Sequence, residues 1–367
     1  MKPAAPPSSY RLFVGVDIAY LDFTAALLQP GEQAQSEPRA FAQTSEGFEQ
    51  LQQRLTSTGL EPAAILIVME ATSSYWMALA TTLHHAGFAV SVINPAQAHH
   101  FAKAQLKRAK NDILDAQTLA ELGQALVPER WTPPPHIFYE LQQRLAQRTR
   151  FLELRTQVSN QLHALSAAPV IVAAVRQRNV ELIASINQHI AQLDTELLAL
   201  VKVEQESETE APIEEEKEPT DALEKRWKAA IALLLTIPGI GLLTACWLVV
   251  ATLNFTLCET AEAAVHYVGL APMLRLSGTS VRGQAHIGHS GHARARTQLY
   301  IATLAAARFN PLIKAYYERL RAAGKPMKVA RCACARKLLH IAYAVVTHEQ
   351  AFDPNYQVVP KGEAASA

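Results

Sequence analysis

Two groups of residues in this 367-residue chain have the types and spacing to do chemistry. The first is acidic. Asp17 closes the apolar run LFVGVDI, Glu70 directly follows AILIVM, and Asp112 and Asp115 stand three apart in NDILDA. An i, i+3 pair lies on one helical face, so both carboxylates can point the same way. Carboxylates gathered at strand and helix ends are costly unless a divalent cation sits among them. Oxygen-only ligands favour Mg²⁺ or Mn²⁺, and the task of such an ion is to polarise a phosphoryl oxygen in phosphoryl transfer. Each acid also has a plain structural use: Asp17 capping a turn, Glu70 the next helix, Asp112 its own helix. Asp22 lies beyond the first strand and is set aside.

The second group is the stretch 269–296, GLAPMLRLSGTSVRGQAHIGHSGHARAR. It holds two candidate nucleophiles, Ser277 and Ser280, among five glycines, three histidines and four arginines (Arg275, Arg282, Arg294, Arg296), with no Asp or Glu. A glycine-rich, cation-rich loop lets backbone N–H groups and guanidinium forks close on a phosphate. Taken alone it also reads as a basic surface loop. Lys103, Lys107, Arg108 and Lys110 precede the acid pair and suit binding to a nucleic-acid backbone, or else a solvated helix face. His286, His289 and His292 are spaced at intervals of three, but zinc wants four nitrogen or sulfur ligands and no Cys or acid lies near them. They read as part of a turn-rich loop.

The elements that must position these groups follow from periodicity. Leu12–Ile18, Phe23–Leu28 and Arg39–Gln43 read as three strands. A helix opens at Ser45, Ala64–Met69 is a buried strand, Ser73–Ala86 a helix stopped by Gly87, and Ala89–Ile93 a strand. Helical pattern resumes after Pro95 and includes Asn111–Gly123. Three strands, helix, strand, helix, strand, helix is the element order of the ribonuclease-H/RuvC-like fold, whose acids come from the first strand, the fourth strand and a late helix. Asp17, Glu70 and Asp112/Asp115 occupy those places.

Three successive prolines, Pro133–Pro135, mark a boundary. Beyond it Ile137–Ala167 is a helical candidate, and Ile183, Ile186, Ile190, Leu193, Leu197 and Leu200 alternate spacings of three and four, a heptad seam. Arg148, Arg155 and Ser159 interrupt the first arm. The pair reads either as an oligomerisation or nucleic-acid-supporting element or as two helices packed within the chain. Ala229–Leu253 carries no charge over 25 residues, long enough to span a bilayer, but Pro238-Gly239-Ile240-Gly241 splits it into two short buried helices around a tight turn. That turn can offer backbone N–H groups to a phosphate or serve close helix packing. The expected organisation is a tail (1–11), a RuvC-like metal domain (12–131), a helical hairpin or coiled coil (132–226) with an acidic disordered insert (204–220), a mostly helical C-terminal domain (227–352) and a second tail (353–367).

Composition sets bounds: 49% hydrophobic and 18% charged residues describe a globular chain, and the net charge of +1 hides an asymmetry. Gly269–His340 carries thirteen Lys/Arg against Glu318, and Glu204–Lys225 carries ten acids against two lysines. A polyanion-binding region with a solvated acidic block elsewhere is implied. The four cysteines show no CxxC spacing and read as reduced thiols of a cytoplasmic protein. The polar, proline-rich start is not a signal peptide.

With the four acids, IPGIG at 237–241 and GLAP…SG at 269–278, the chain resembles the DEDD transposases of the insertion-sequence-110 group, bridge-RNA-guided DNA recombinases, over about Phe13–Phe352. The resemblance implies a metal held by Asp17, Glu70, Asp112 and Asp115, and Ser277 as nucleophile, with Ser280 in reserve. It implies donor and target DNA as partners, a structured bridge RNA that pairs with both, and homo-oligomers from dimer to tetramer whose sites can combine protomers. Two departures stand out. The family's lysine-rich pattern after the serine is Ile287-Gly288-His289-Ser290-Gly291 here, and the acidic insert is idiosyncratic. Rival readings are a RuvC-like nuclease or resolvase using water, a sugar-kinase-like ATPase lacking its Gly/Thr-rich loop, and a non-catalytic DNA or RNA scaffold.

Overall fold

The computed structural model describes residues 10–31, 36–71, 74–105, 112–202, 219–273, 276–277, 281–282, 286–288 and 291–355. Two compact units divide within the proline run, at Pro133/Pro134. The architecture is α/β in the first and helical, with small β ladders, in the second.

In the first unit, β1 (Leu12–Ile18), β2 (Asp22–Leu28) and β3 (Ser36–Ala42) form an antiparallel meander, followed by α1 (Ser45–Thr56), β4 (Ile65–Glu70), α2 (Trp76–His85), β5 (Ala89–Ile93), α3 (Pro95–Ala104) and α4 (Asp112–Leu126). The strand order is β3-β2-β1-β4-β5, with β1–β4 and β4–β5 parallel. Side-chain alternation divides β1 between two cores. Val14 and Val16 pack with Phe48, Leu51, Leu79 and Leu83 of α1 and α2, while Phe13 packs with Leu119 and Leu122 of α4. β4 is buried on both faces, which is why it reads as an unbroken apolar run. Each fully buried Leu or Ile contributes about 1.5–3 kcal/mol. The third strand lies earlier than its apolar residues suggest, because the register shifts between Ala25 and Leu27, where β3 carries one residue more than β2, and Leu27 pairs with Ser36. The helix expected from Ser73 begins at Trp76, after a turn in which Met77 N–H donates to the Ser74 carbonyl.

The second unit begins with α5 (His136–Leu165) and α6 (Ala173–Val201), which pack on each other as an antiparallel pair. The arginines that break the apolar seam of α5 have partners on α6: Arg148 makes a forked pair with Asp194 (2.6 and 3.1 Å), and Arg155 reaches Asn187 at 3.2 Å. Near its Pro133/Pro134 start the pair joins the core of the remaining helices through Ile137, Leu141, Leu145 and Leu197. The acidic block from 204 to 218 falls outside the described residues. The uncharged run is shared between the last turns of α7 (Pro219–Leu235) and α8 (Leu242–Thr252), and α8 is buried all round from Thr244 to Thr252. Among the described residues no helix is long and apolar enough to cross a membrane. Gly239 in the turn between them has φ +103°, and a Cβ there would stand 2.5 Å from that of Ala306, so this glycine serves close packing. The unit closes with α9 (Ala261–Val268), two short ladders, α10 (Ala293–Phe309), α11 (Pro311–Ala322) and α12 (Met327–Thr347). All four cysteines are free thiols.

Candidate active site

Parallel pairing of β1 with β4 runs from Leu12↔Ile65 to Val16↔Met69, and the next residue on each strand is Asp17 and Glu70. Strands paired in parallel and in register present matched positions on the same face. The face is fixed by Gly15. A Cβ at that position would lie 1.9 Å from the Ala116 carbonyl oxygen and 2.3 Å from Ala120 N, so Gly15, and with it Phe13 and Asp17, points towards α4. Leu66 and Val68 share the α4-side core, which puts Glu70 on that side also. The first turn of α4 supplies Asp112 and Asp115.

The consequence appears at Asp17. Burial, then the carboxylates of Asp115, Asp112 and Glu70 in that order, push its pKa from 3.8 up to about 6, against a smaller opposite pull from the Ile18 backbone. Three acids from two other elements therefore act as charges on Asp17. Among the described residues, however, no group of three or more His, Cys, Asp or Glu stands close enough to hold a metal ion as placed. Charges interact over distances well beyond a coordination bond. Donor chemistry and electrostatics at Asp17 both fit a hard divalent cation, and the side-chain placements are not those of a closed site.

The serine loop is a nested pair of antiparallel ladders. β6 (Pro272–Met273) pairs with β9 (His286–Ile287), and inside them β7 (Leu276–Ser277) pairs with β8 (Val281–Arg282). Ser277 is thus the last paired residue before the tip, opposite Val281. Ser280 and Arg275, like Lys107, Arg108 and Lys110, fall outside the described residues, and Arg282 is described by its backbone alone. The two ends of the loop are pinned together. His292 N–H donates to the Tyr267 carbonyl at 3.0 Å, and a Cβ on Gly291 (φ +91°) would stand 2.6 Å from Gly269 N. His292 Nδ1 accepts from Ala295 N–H at 3.2 Å and caps α10, so this histidine has a structural task. Arg294 lies over the Trp247 ring at 5.9 Å and pairs with Glu153 at 3.7 Å, while Arg296 donates to the Val268 carbonyl at 3.1 Å. Both arginines thus brace the loop's base. Lys103 is exposed on α3.

A family model described as "Transposase" matches residues 14–166, and one described as "Transposase IS116/IS110/IS902 family" matches 231–318. The chain belongs to this transposase family. A relative from Moraxella bovis, the "Pilin gene-inverting protein", is 28% identical over 346 residues, 94% of this chain and 98% of its own. Its counterpart from Moraxella lacunata matches to the same extent. The "Insertion element IS110 uncharacterized 43.6 kDa protein" of Streptomyces coelicolor is 32% identical over 113 residues, 31% of this chain and 28% of its own. The transposase is accordingly an enzyme of DNA recombination, with DNA as its partner. Sequence reasoning did not reach Gly15, the residue that lets α4 approach the sheet. Its signal was present, because a glycine inside an apolar strand marks close backbone approach.

Proposed function

We propose that this transposase exchanges DNA strands through a phosphoserine intermediate, with Asp17, Glu70, Asp112 and Asp115 holding Mg²⁺ or Mn²⁺ and Ser277 as nucleophile. The observation that carries it is the convergence of the four acids on the α4 face of the sheet, read in the raised Asp17 pKa. The strand order β3-β2-β1-β4-β5 supports a ribonuclease-H/RuvC-like frame for those acids. A bound divalent ion supplies charge neutralisation and polarisation at the scissile phosphate. Ser277 Oγ forms the bond to phosphorus and gives up its proton as the bond to the leaving strand's oxygen breaks, and that oxygen takes a proton. A hydroxyl from the other strand later attacks the same phosphorus and returns Ser277 to its alcohol. Storing the phosphoester on the protein divides one hard step into two.

Arg275 and Arg282 are placed by sequence to stabilise charge on the phosphate. Inversion, the reaction in the Moraxella relatives' name, is such an exchange between two sites of one DNA. A bridge RNA choosing both sites and assembly of two to four copies rest on the family resemblance, and a coiled-coil role for α5 and α6 rests on the heptad seam of α6. The deciding experiment is strand exchange on supercoiled DNA carrying both sites, with its guide RNA. Ser277→Ala is expected to abolish a protein–DNA adduct that survives SDS. Asp17→Asn is expected to lower cleavage by about a hundredfold or more. Cleavage that persists in Ser277→Ala without an adduct identifies water as the nucleophile and rejects the serine.

A further inference from the structure

The cationic end of the chain contains a cavity that neither the acids nor the serine loop uses. It lies where α10, α11 and α12 meet, has a volume of about 460 Å³, and is lined by Leu304, Arg308, Phe309, Tyr317 and Arg331 among others. That volume falls within the usual range for small-ligand pockets, roughly 300–1,000 Å³.

Phe309 is the last residue of α10 and is 71% exposed. Its backbone is held in place all the same. Asn310, the next residue, is fully buried and caps α11, its Oδ1 accepting from the N–H groups of Leu312 and Ile313 at 3.1 and 3.2 Å. A large aromatic ring is therefore presented to solvent from a fixed position, where folding alone favours burying it. Among the described residues neither Arg308 nor Arg331 has a carboxylate partner. From the start of α10 to the end of α12, eleven Lys/Arg stand against Glu318 as the sole acid.

An apolar wall with an exposed aromatic ring takes the face of a base, and unpaired guanidinium groups take phosphate oxygens. An apolar side chain from a second copy would cover the same wall, but it would desolvate two arginines without an anion to meet them. DNA brings both groups. We propose that this cavity receives an unpaired nucleotide of the DNA strand, its base against Phe309 and Tyr317 and its phosphates on Arg308 and Arg331. The reading rests on the chain's action on DNA and is independent of the four acids and Ser277.

The test measures fluorescence anisotropy of a labelled oligothymidine strand with the full-length protein, beside an abasic strand of equal length and an oligouridine strand. Phe309→Ala is expected to weaken oligothymidine about tenfold, from the loss of one base–aromatic stack, and to leave the abasic strand unchanged. Arg308→Gln and Arg331→Gln are each expected to weaken all strands and to flatten the salt dependence by about 0.7 in slope. Equal oligothymidine affinity in Phe309→Ala and the parent overturns the proposal. So does a loss confined to oligouridine, or a change of mass in sedimentation with DNA binding intact, which assigns the cavity to a second copy. Photocrosslinking an iodouracil-bearing DNA strand to the unaltered protein decides the matter where a variant misfolds: adducts within 304–331 support the proposal, and adducts elsewhere alone reject it.

Discussion

Asp17 is an acid whose surroundings oppose its charge, and this has a measurable sign. Its folded pKa, about 6, lies above the ordinary 3.8. Between those values the folded state binds more protons than the unfolded one, so the contribution to stability is complete below about pH 3.8 and is lost as pH rises through about 6. Solvent screening limits the effect to on the order of 1 kcal/mol. In metal-free protein, Asp17→Asn is therefore expected to raise the melting temperature at pH 7 and to leave it unchanged at pH 4, as read by calorimetry. His292 has the opposite sign. Burial first, and then Arg294 and Arg296, lower its pKa against the pull of a backbone hydrogen bond, and its Nδ1 accepts from Ala295 N–H only when unprotonated. Its contribution is full above pH 6.5 and is lost as pH falls through the lowered folded value. His292→Asn keeps a capping acceptor without a titrating group, so thermal melts from pH 7 to 5 should show a shallower acid loss in the variant.

At the scale of elements, the approach of α4 to β1 decides whether Asp112 and Asp115 face Asp17. Gly15 permits that approach, with backbone atoms of α4 filling the space a Cβ would need. Gly15→Ala pushes the helix outwards, an overpacking change that costs about 1–3 kcal/mol. Cleavage is expected to fall further than stability does. A direct check that needs no DNA is the Asp17 pKa by NMR, which should move back towards 3.8 as the carboxylates of α4 withdraw. An unchanged Asp17 titration in a folded Gly15→Ala protein would show that α4 does not supply the charge. The α5–α6 pair teaches the complementary lesson. Arg148 breaks the seam in sequence, yet in the fold it meets Asp194 across the helix pair, so a polar interruption is a matched contact.

The chain folds as two units with separate cores, one built on the sheet and one on α7, α8, α10 and α12. Metal should therefore act on one of them. Calorimetry with and without Mn²⁺ is expected to raise the transition of the sheet unit, since a ligand bound only by the folded state stabilises it by mass action. The helical unit's transition should stay where it was. Asp17→Asn should abolish the shift, and a shift confined to the helical unit would put the metal elsewhere.

Sequence alone determined the order of strands and helices in the first unit, the ends of the runs that carry Asp17 and Glu70, and the shared helical face of Asp112 and Asp115. Those features are local: period-two and period-3.6 patterns, prolines and glycines register within a few residues. The motifs around Ser277 were legible for the same reason. Only the tertiary structure decided that β1 and β4 pair in parallel and in register, that Gly15 turns Asp17 towards α4, and that Gly239 is spent on packing against Ala306. It also showed that Arg294 and Arg296 brace the base of the serine loop. Each of these depends on backbones meeting across long separations, where the outcome is set by close packing that no single stretch of the chain encodes.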